Sequence, residues 1–340
     1  MKNVRLQDVA KRAGVSPATV TRVIHGNGYV SAEKKSRVEA AISELGYAMI
    51  ARPEAVGLVE PYVIILSLLE NNGNALFYRI AEQLGVALQA RGWLMMQYFI
   101  RGETAMDIVR IIERMRGPGL KGIIFNCVGD SVDLLSIRRY LIGMPTCLIM
   151  VERSPDIYGL NKVMLNAREM LFIAVRHLAH LGHRHIAFFS VDKDCEVEQS
   201  RKAGFLFGVS AMGIAEESFF WPIPDYFCID GFKAMDRYIQ RHGMPTAVIA
   251  PDPVMVGISN CLYRMGRRVP EDISLLGLDD TLAPFSTPRN SSISYPLAEM
   301  VQNIMRILSD YHAGHTLPQN VLLSTTLVDR GTCAAPRRRD

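Results

Sequence analysis

The residues best suited to bind a polyanion lie in the first 25 positions. This segment has one carboxylate, that of Asp8, and five cationic side chains, those of Lys2, Arg5, Lys11, Arg12 and Arg22. Its net charge equals the +4 of the whole chain. An arginine can form two parallel hydrogen bonds with guanine, and short polar side chains suit phosphate oxygens. The segment therefore predicts a nucleic acid partner, with a solvated basic face as the alternative.

Residues 4–47 have the pattern of three short helices that would position these side chains. Apolar residues recur at helical intervals over 6–12, 17–25 and 32–45. Gly14 suits a turn between the first two helices, while Ser16 and Pro17 suit the N-cap and first position of the second. Such a pair is typical of a helix-turn-helix, whose second helix enters the major groove. A three-helix domain with no nucleic acid partner would share this spacing.

On the helix-turn-helix interpretation, Arg22 is the strongest candidate for reading a base. Ser16, Thr19 and His25 suit phosphate contacts, which the positive end of the helix would reinforce. The complete set of predicted DNA-binding residues is Leu6, Ser16, Pro17, Ala18, Thr19, Thr21, Arg22 and His25.

The remainder of the chain predicts an α/β domain. Six β-branched apolar runs, at 63–69, 122–125, 146–151, 185–189, 246–250 and 273–277, alternate with amphipathic segments. This alternation favours parallel sheets covered by helices on both faces, and about 270 residues are enough for two lobes. We therefore predict a helix-turn-helix domain over 1–47, a hinge over 48–60, and an effector-binding and dimerisation domain of two α/β lobes over 61–340. A cleft between lobes is a natural site for a small ligand.

The cysteines and apolar segments constrain the remaining classes of protein. Six cysteines form no C-x-x-C pair, so we expect neither a zinc site nor a disulfide framework, and a reducing cytoplasm fits. The chain opens without an apolar signal segment, and its longest apolar run is too short to cross a bilayer. We expect a cytoplasmic protein that needs no cofactor, no metal and no membrane.

Three segments identify a family. Residues 4–24, VRLQDVAKRAGVSPATVTRVI, resemble the head of the lactose-repressor/galactose-repressor (LacI/GalR) family, and residues 27–31 and 44–47 continue the match. Residues 177–187, HLAHLGHRHIA, and 269–280, VPEDISLLGLDD, resemble two further family motifs. The resemblance implies a regulator with a periplasmic-binding-protein-like sensor, which binds operator DNA as a homodimer or tetramer. It also implies a structural role for His177, His180, His183 and His185, which alone could suggest a metal site.

The resemblance is interrupted at the hinge. Family members follow Gly-Tyr with a segment like RPNxxARxL, whose leucine wedges into the minor groove. Here AMIARPE follows Tyr47, looks two residues short, and places Glu54 at the wedge position. A carboxylate there would face phosphates. We predict a hinge that binds the minor groove weakly or in a shifted register, with Leu58 as the alternative wedge.

The effector residues are carried over from the family motifs. The resemblance implies Arg201 as the leading ligand contact and Asp279 as a hydroxyl acceptor, and adds Asn74, Phe77 and Asp252. Two polar groups of the family are missing: Pro251 replaces an asparagine, and the V-x-x-D-N motif at 163–167 lacks its aspartate. The family usually binds sugars or related metabolites. The two losses predict a less hydroxylated or acidic effector, or a degenerate sensor.

Two other classes of protein share parts of this pattern. A periplasmic binding protein has the sensor fold but needs a signal peptide and no DNA-binding head. A nucleotide-dependent enzyme would show G-x-G-x-x-G or a P-loop directly after the first strand, where residues 69–74 read LENNGN and match neither. A hydrolase would show G-x-S-x-G, which the sequence lacks. The sequence therefore favours a regulator over an enzyme, and leaves open the effector, the operator and whether the effector releases DNA.

Overall fold

The fold was analysed in a computed structural model that describes residues 6–25, 30–45, 59–68, 75–100, 103–128, 134–151, 159–192 and 196–337. Residues 48–58 of the predicted hinge, which include Leu58, lie outside these residues, as do Asn74 and the side chain of His25. The chain divides into two compact units, 1–59 with 110–118, and 60–109 with 119–340.

The N-terminal unit contains the three predicted helices: α1 (Leu6–Ala13), α2 (Pro17–His25) and α3 (Ala32–Leu45). They enclose a small core of Val9, Ala10, Ala13, Val20, Val38 and Ala41. Ser16 caps α2 as predicted, because its Oγ accepts a hydrogen bond from the N–H of Thr19 at 3.2 Å. Gly14 has φ +63°, a conformation that suits glycine in the turn between α1 and α2.

Arg37, on α3, fixes the same turn. Its Nε and Nη2 donate to the carbonyl of Ala13 at 3.1 and 2.6 Å, and Nη2 also donates to the carbonyl of Gly14 at 3.1 Å. A cation at the C-terminal end of α1 satisfies carbonyls that the helix leaves unpaired. Arg37 thereby sets the orientation of α2 relative to α1.

The larger unit is built on two six-stranded sheets. The first has the order β11-β5-β4-β3-β1-β2. Its strands are β1 (Tyr62–Leu68), β2 (Leu94–Ile100), β3 (Leu120–Val128), β4 (Thr146–Val151), β5 (Asn161–Leu165) and β11 (Asn320–Leu323). All pairs are parallel. The helices of this part of the chain are α4 (Ala75–Gln89), α6 (Leu134–Leu141) and α11 (Leu297–His312), together with α5 (Ala105–Met115), whose residues 110–115 belong to the other compact unit.

The second sheet has the order β12-β10-β9-β8-β6-β7. Its strands are β6 (Ile186–Val191), β7 (Phe219–Ile223), β8 (Ala247–Pro251), β9 (Ser274–Leu278), β10 (Ser291–Ser294) and β12 (Thr326–Val328). Only β12 runs antiparallel, against β10. Its helices are α7 (Ala167–His180), α8 (Glu196–Ala211), α9 (Cys228–His242) and α10 (Asp252–Arg264). The chain passes between the sheets three times, after β5, β10 and β11, so the predicted two-lobed parallel α/β fold is confirmed.

His183 ties the second lobe to the C-terminal segment. Its Nε2 donates to the carbonyl of Ala334 at 2.9 Å, and its Nδ1 lies 2.9 Å from the hydroxyl of Thr246. The residue is 1% exposed. Burial lowers the pKa of His183 to about 4, against an opposing effect of the Ala334 carbonyl. Both ring nitrogens are occupied by structural hydrogen bonds.

The lowered pKa predicts acid lability. The unfolded chain would protonate His183 near pH 6.5 and the folded chain near pH 4, so stability should be lost as pH falls through this window. The loss should be about 3 kcal/mol in the free energy of unfolding. Urea titrations from pH 7 to pH 4 should show a smaller loss for His183→Gln than for the wild type. The exposed control His180→Gln should follow the wild type; equal losses in all three proteins would contradict the assignment.

Candidate functional site

The exposed face of α2 carries the predicted DNA-binding residues. Pro17, Ala18, Thr21 and Arg22 are exposed, and Ser16 lies at the helix start. Within the described residues, the guanidinium of Arg22 has no ion-pair partner, so it is available to a ligand. The hydroxyl of Thr21 donates to the carbonyl of Pro17 at 3.0 Å. One helix face therefore presents the positive N-terminal end of the helix and, further along, a cation that is unpaired within the described residues.

The second candidate site surrounds Arg201 on α8. Its Nη2 lies 2.8 Å from Oδ1 of Asp279, which directly follows β9. The two side chains are 6% and 7% exposed, so the ion pair is buried. The structure thus brings together the two residues that the resemblance ranked first for effector binding. Phe77, on α4 of the first lobe, is half-buried.

Glu198 and Tyr226 complete this cluster, and neither was predicted from the sequence. Oε1 of Glu198 lies 3.6 Å from Nη1 of Arg201, and its Oε2 accepts from the hydroxyl of Ser190 at 2.8 Å. Tyr226 donates its hydroxyl proton to Glu198 and accepts from Nη1 of Arg201 at 3.2 Å. Glu198 precedes Arg201 by three residues and so shares its helix face. That spacing is the one sequence signal that could have identified it.

Burial and the contacts within the cluster raise the pKa values of Arg201 and Tyr226. Burial alone would lower the pKa of Arg201, but Asp279, with Tyr226 and Glu198, raises it well above its ordinary value. Burial also raises the pKa of the Tyr226 phenol well above its usual range, although Arg201 opposes that shift. Arg201 is therefore a permanent cation whose charge is matched by two carboxylates. Its Nε is buried without a hydrogen-bond partner in the described part of the chain.

Asp252 supports the loop that carries Asp279. Its Oδ2 accepts hydrogen bonds from the backbone N–H groups of Thr281, Leu282 and Ala283 at 2.7, 2.8 and 2.9 Å. Burial raises the pKa of Asp252 to about 6, while these N–H groups act in the opposite direction. The carboxylate is 2% exposed, so its visible role is to position the loop. A direct contact with an effector stays a prediction.

The loop itself has an unusual backbone. Asp279 and Asp280 have φ values of 80° and 49°, in the left-handed region that side chains other than glycine rarely adopt. Arg330 holds Asp280 through two hydrogen bonds, Nη1 to Oδ1 at 2.7 Å and Nη2 to Oδ2 at 3.1 Å. Consecutive residues of this kind concentrate at ligand sites and switch regions.

The first lobe contributes a partly buried polar network on its strands β1, β2 and β3. Asn126, on β3, is 1% exposed and donates through Nδ2 to the carbonyl of Phe77 at 3.1 Å. Gln97 on β2 donates to the hydroxyl of Ser67 on β1 at 3.2 Å. Oδ1 of Asn126 is a buried acceptor with no partner among the described residues. The resemblance did not single out Asn126, Gln97 or Ser67, although an asparagine inside an apolar run was a usable signal.

Comparison with known proteins identifies both parts of the chain. Residues 5–49 match the family described as bacterial regulatory proteins, lacI family, and residues 175–333 match the periplasmic binding protein-like domain. The chain is 28% identical to the HTH-type transcriptional regulator AscG of Escherichia coli K12, over 97% of this chain and 98% of that protein. It is 26% identical to the lactose operon repressor of the same organism, over 99% and 92%.

Solved structures agree with this grouping. The transcriptional regulator CelR in complex with cellobiose is similar with a TM-score of 0.64 and 26% identity, over 97% of this chain and 99% of that one. The lac repressor dimer bound to operator and an anti-inducer shares the fold, with a TM-score of 0.67 and 23% identity, over 98% and 100%. Among the described residues, no helix combines the length and apolar character needed to cross a membrane.

Proposed function

We propose that this chain, which belongs to the LacI family of bacterial regulatory proteins, represses transcription by binding operator DNA under the control of a small-molecule effector. The observation that carries the proposal is the exposed face of α2, where Arg22 is unpaired within the described residues and Ser16 caps the helix. An unpaired arginine on a recognition helix is suited to guanine. Ser16, Thr19 and the other members of the predicted set position the helix on the phosphates.

The effector is a neutral metabolite that bears a hydroxyl group, either a sugar or, as the two missing polar groups predict, a less hydroxylated relative of one. Asp279 offers Oδ2, which makes no hydrogen bond within the described part of the chain, as an acceptor for a hydroxyl. Arg201 is already matched by two carboxylates, and Arg330 is matched by Asp280. An anionic effector would meet these carboxylates, so the ion pairs argue against the acidic effector, which is one of the alternatives that the sequence predicts. Cellobiose in the CelR complex is a neutral ligand of a similar protein.

A thermal-shift comparison tests the charge of the effector. Each of a set of neutral sugars would be paired with the sugar acid or sugar phosphate of the same ring, at matched ionic strength. We expect the largest rise in Tm from a neutral sugar, because each charged counterpart must approach Glu198 and Asp279. A larger rise with a sugar acid or phosphate would contradict the proposal.

The remaining features follow from the same function. We propose a homodimer, with a tetramer as the alternative, because a two-fold symmetric protein reads a two-fold symmetric site. The lac repressor structure is that of a dimer bound to operator. We place the protein in the cytoplasm, where its DNA lies, and propose that it has no catalytic activity, since its relatives are transcription regulators.

Selection of binding sites from random DNA tests the function. The purified full-length chain would be used at one fixed salt concentration, because affinity for phosphates depends on salt. We expect enrichment of a short pseudo-palindrome, whose half-site spacing would also report how the shortened hinge docks. Binding that depends only on salt, with no enriched sequence, would refute the proposed function.

A further inference from the structure

The loop after β9 contacts side chains of both lobes and carries Asp279 of the proposed effector site. Asp279 contacts Arg201, and Asp280 is held by Arg330, both in the second lobe. A third arginine reaches the loop from the first lobe. Nη1 of Arg79, on α4, donates to the backbone carbonyl of Asp280 at 2.6 Å. Arg79 is not among the residues predicted from the sequence.

Arg79 and Asp252 hold the two ends of one peptide group. The carbonyl of Asp280 and the N–H of Thr281 belong to the same peptide bond, which is planar and rigid. Arg79 donates to that carbonyl, while Asp252 accepts from that N–H at 2.7 Å. One peptide plane is therefore clamped between a side chain of the first lobe and a side chain of the second.

The orientation of this plane depends on the two residues before it. Asp279 and Asp280 are in the left-handed region, so a return to ordinary backbone angles would rotate the peptide plane. An effector that contacts Asp279 acts on the first of these residues. Rotation of the plane would turn the carbonyl of Asp280 away from Arg79, and the contact between the lobes would break.

We propose that Arg79 is the positioning residue that couples occupancy of the effector site to the relative orientation of the two lobes, and so to operator affinity. This inference rests on the proposed function. The hydrogen bond from a cation to a carbonyl is charge-assisted, which makes it stronger than a neutral one. The coupling between effector binding and lobe orientation is reciprocal. The contact of Arg79 with Asp280 therefore also influences the arrangement of the lobes when no effector is bound. Removing Arg79 should therefore alter operator affinity without any added ligand.

The test measures operator affinity of the full-length protein on DNA obtained by the selection described above, with no metabolite added. Arg79→Ala should change the Kd at least fivefold, and the direction identifies which lobe arrangement binds DNA. Arg79→Lys retains a donor that can reach the carbonyl and should stay within twofold of the wild type. Gln89→Ala, an exposed position at the other end of α4, is the matched control and should leave the Kd unchanged.

Three results would overturn the inference. The first is a Kd for Arg79→Ala within twofold of the wild type. The second is an equal change in the operator Kd for Arg79→Lys and Arg79→Ala. The third is a fall in the urea midpoint of Arg79→Ala large enough to account for the altered Kd, since that would show a structural role only. Failure of the wild type to select any operator is a different outcome, because it refutes the proposed function and this inference with it.

Discussion

Replacement of Arg22 by alanine should weaken binding to the selected operator by about 10- to 100-fold, the range expected for loss of one bidentate contact with a base. The loss should be largest on the selected sequence and small on random DNA, because Arg22 is proposed to read a base. Repeating the site selection with the variant should give a motif that is relaxed at one position of each half-site.

Two further variants distinguish the effect of the planar pair of guanidinium donors from the effect of the positive charge. Arg22→Lys keeps the cation but loses the planar pair of donors, so it should lose most of the specificity while its salt dependence stays close to that of the wild type. Lys11→Ala removes one exposed cation from α1 and should weaken binding equally on all sequences. A lysine variant that retains full specificity would contradict base reading by Arg22.

Replacement of Arg201 by methionine should lower the free energy of unfolding by about 3–5 kcal/mol, because it leaves buried carboxylates without their partner. Glu198 and Asp279 are 6% and 7% exposed on their side chains. The same variant should abolish the thermal shift caused by any effector. Urea unfolding monitored by circular dichroism measures the first effect, and the thermal-shift panel measures the second.

The neighbouring ion pair provides a matched control. Lys202 lies 3.1 Å from Asp192, but these side chains are 40% and 53% exposed. Lys202→Met should therefore cost less than about 1 kcal/mol. Adding Glu198→Gln to Arg201→Met should recover part of the lost stability, because it removes one unpaired charge. Equal losses in the free energy of unfolding for Arg201→Met and Lys202→Met would contradict a stabilising role for the buried ion pairs of Arg201.

Six of the eight internal strands that the structure describes could be predicted from the sequence. The six apolar runs correspond to β1, β3, β4, β6, β8 and β9, all of which lie inside a sheet. Strands covered on both faces become continuous apolar segments, which are visible in a single sequence. The three head helices were also predicted correctly, and six of their apolar residues form the observed core.

The edges of the sheets could not be predicted in this way. β2, β7, β11 and β12 each lie at an edge and were missed. Their half-exposed faces mix polar and apolar residues, and β7 contains Pro222. The internal strands β5 and β10 were also missed. β5 has five residues and begins with Asn161 and Lys162, while the serines of β10 are buried through hydrogen bonds to distant residues such as Asp252. Such bonds depend on the assembled fold.

The effector site likewise combines residues that the sequence reveals with residues that only the assembled fold brings together. The resemblance found Arg201 and Asp279, since both lie in recognisable motifs. Glu198 resembles an ordinary helix residue until Arg201 and Tyr226 are placed beside it. Arg79 looks like an exposed cation on an amphipathic helix until the two lobes meet at Asp280. These roles arise from contacts between segments far apart in the chain, which residue spacing does not reveal.

The central claim is that this protein reads a specific, two-fold symmetric operator, and the affinity for half-site variants tests it most directly. The selected site would be compared, at one salt concentration, with versions in which one or both half-sites are scrambled. We predict that scrambling one half-site weakens binding at least tenfold and that scrambling both leaves only salt-dependent binding. Equal affinity for all three DNAs would contradict the claim.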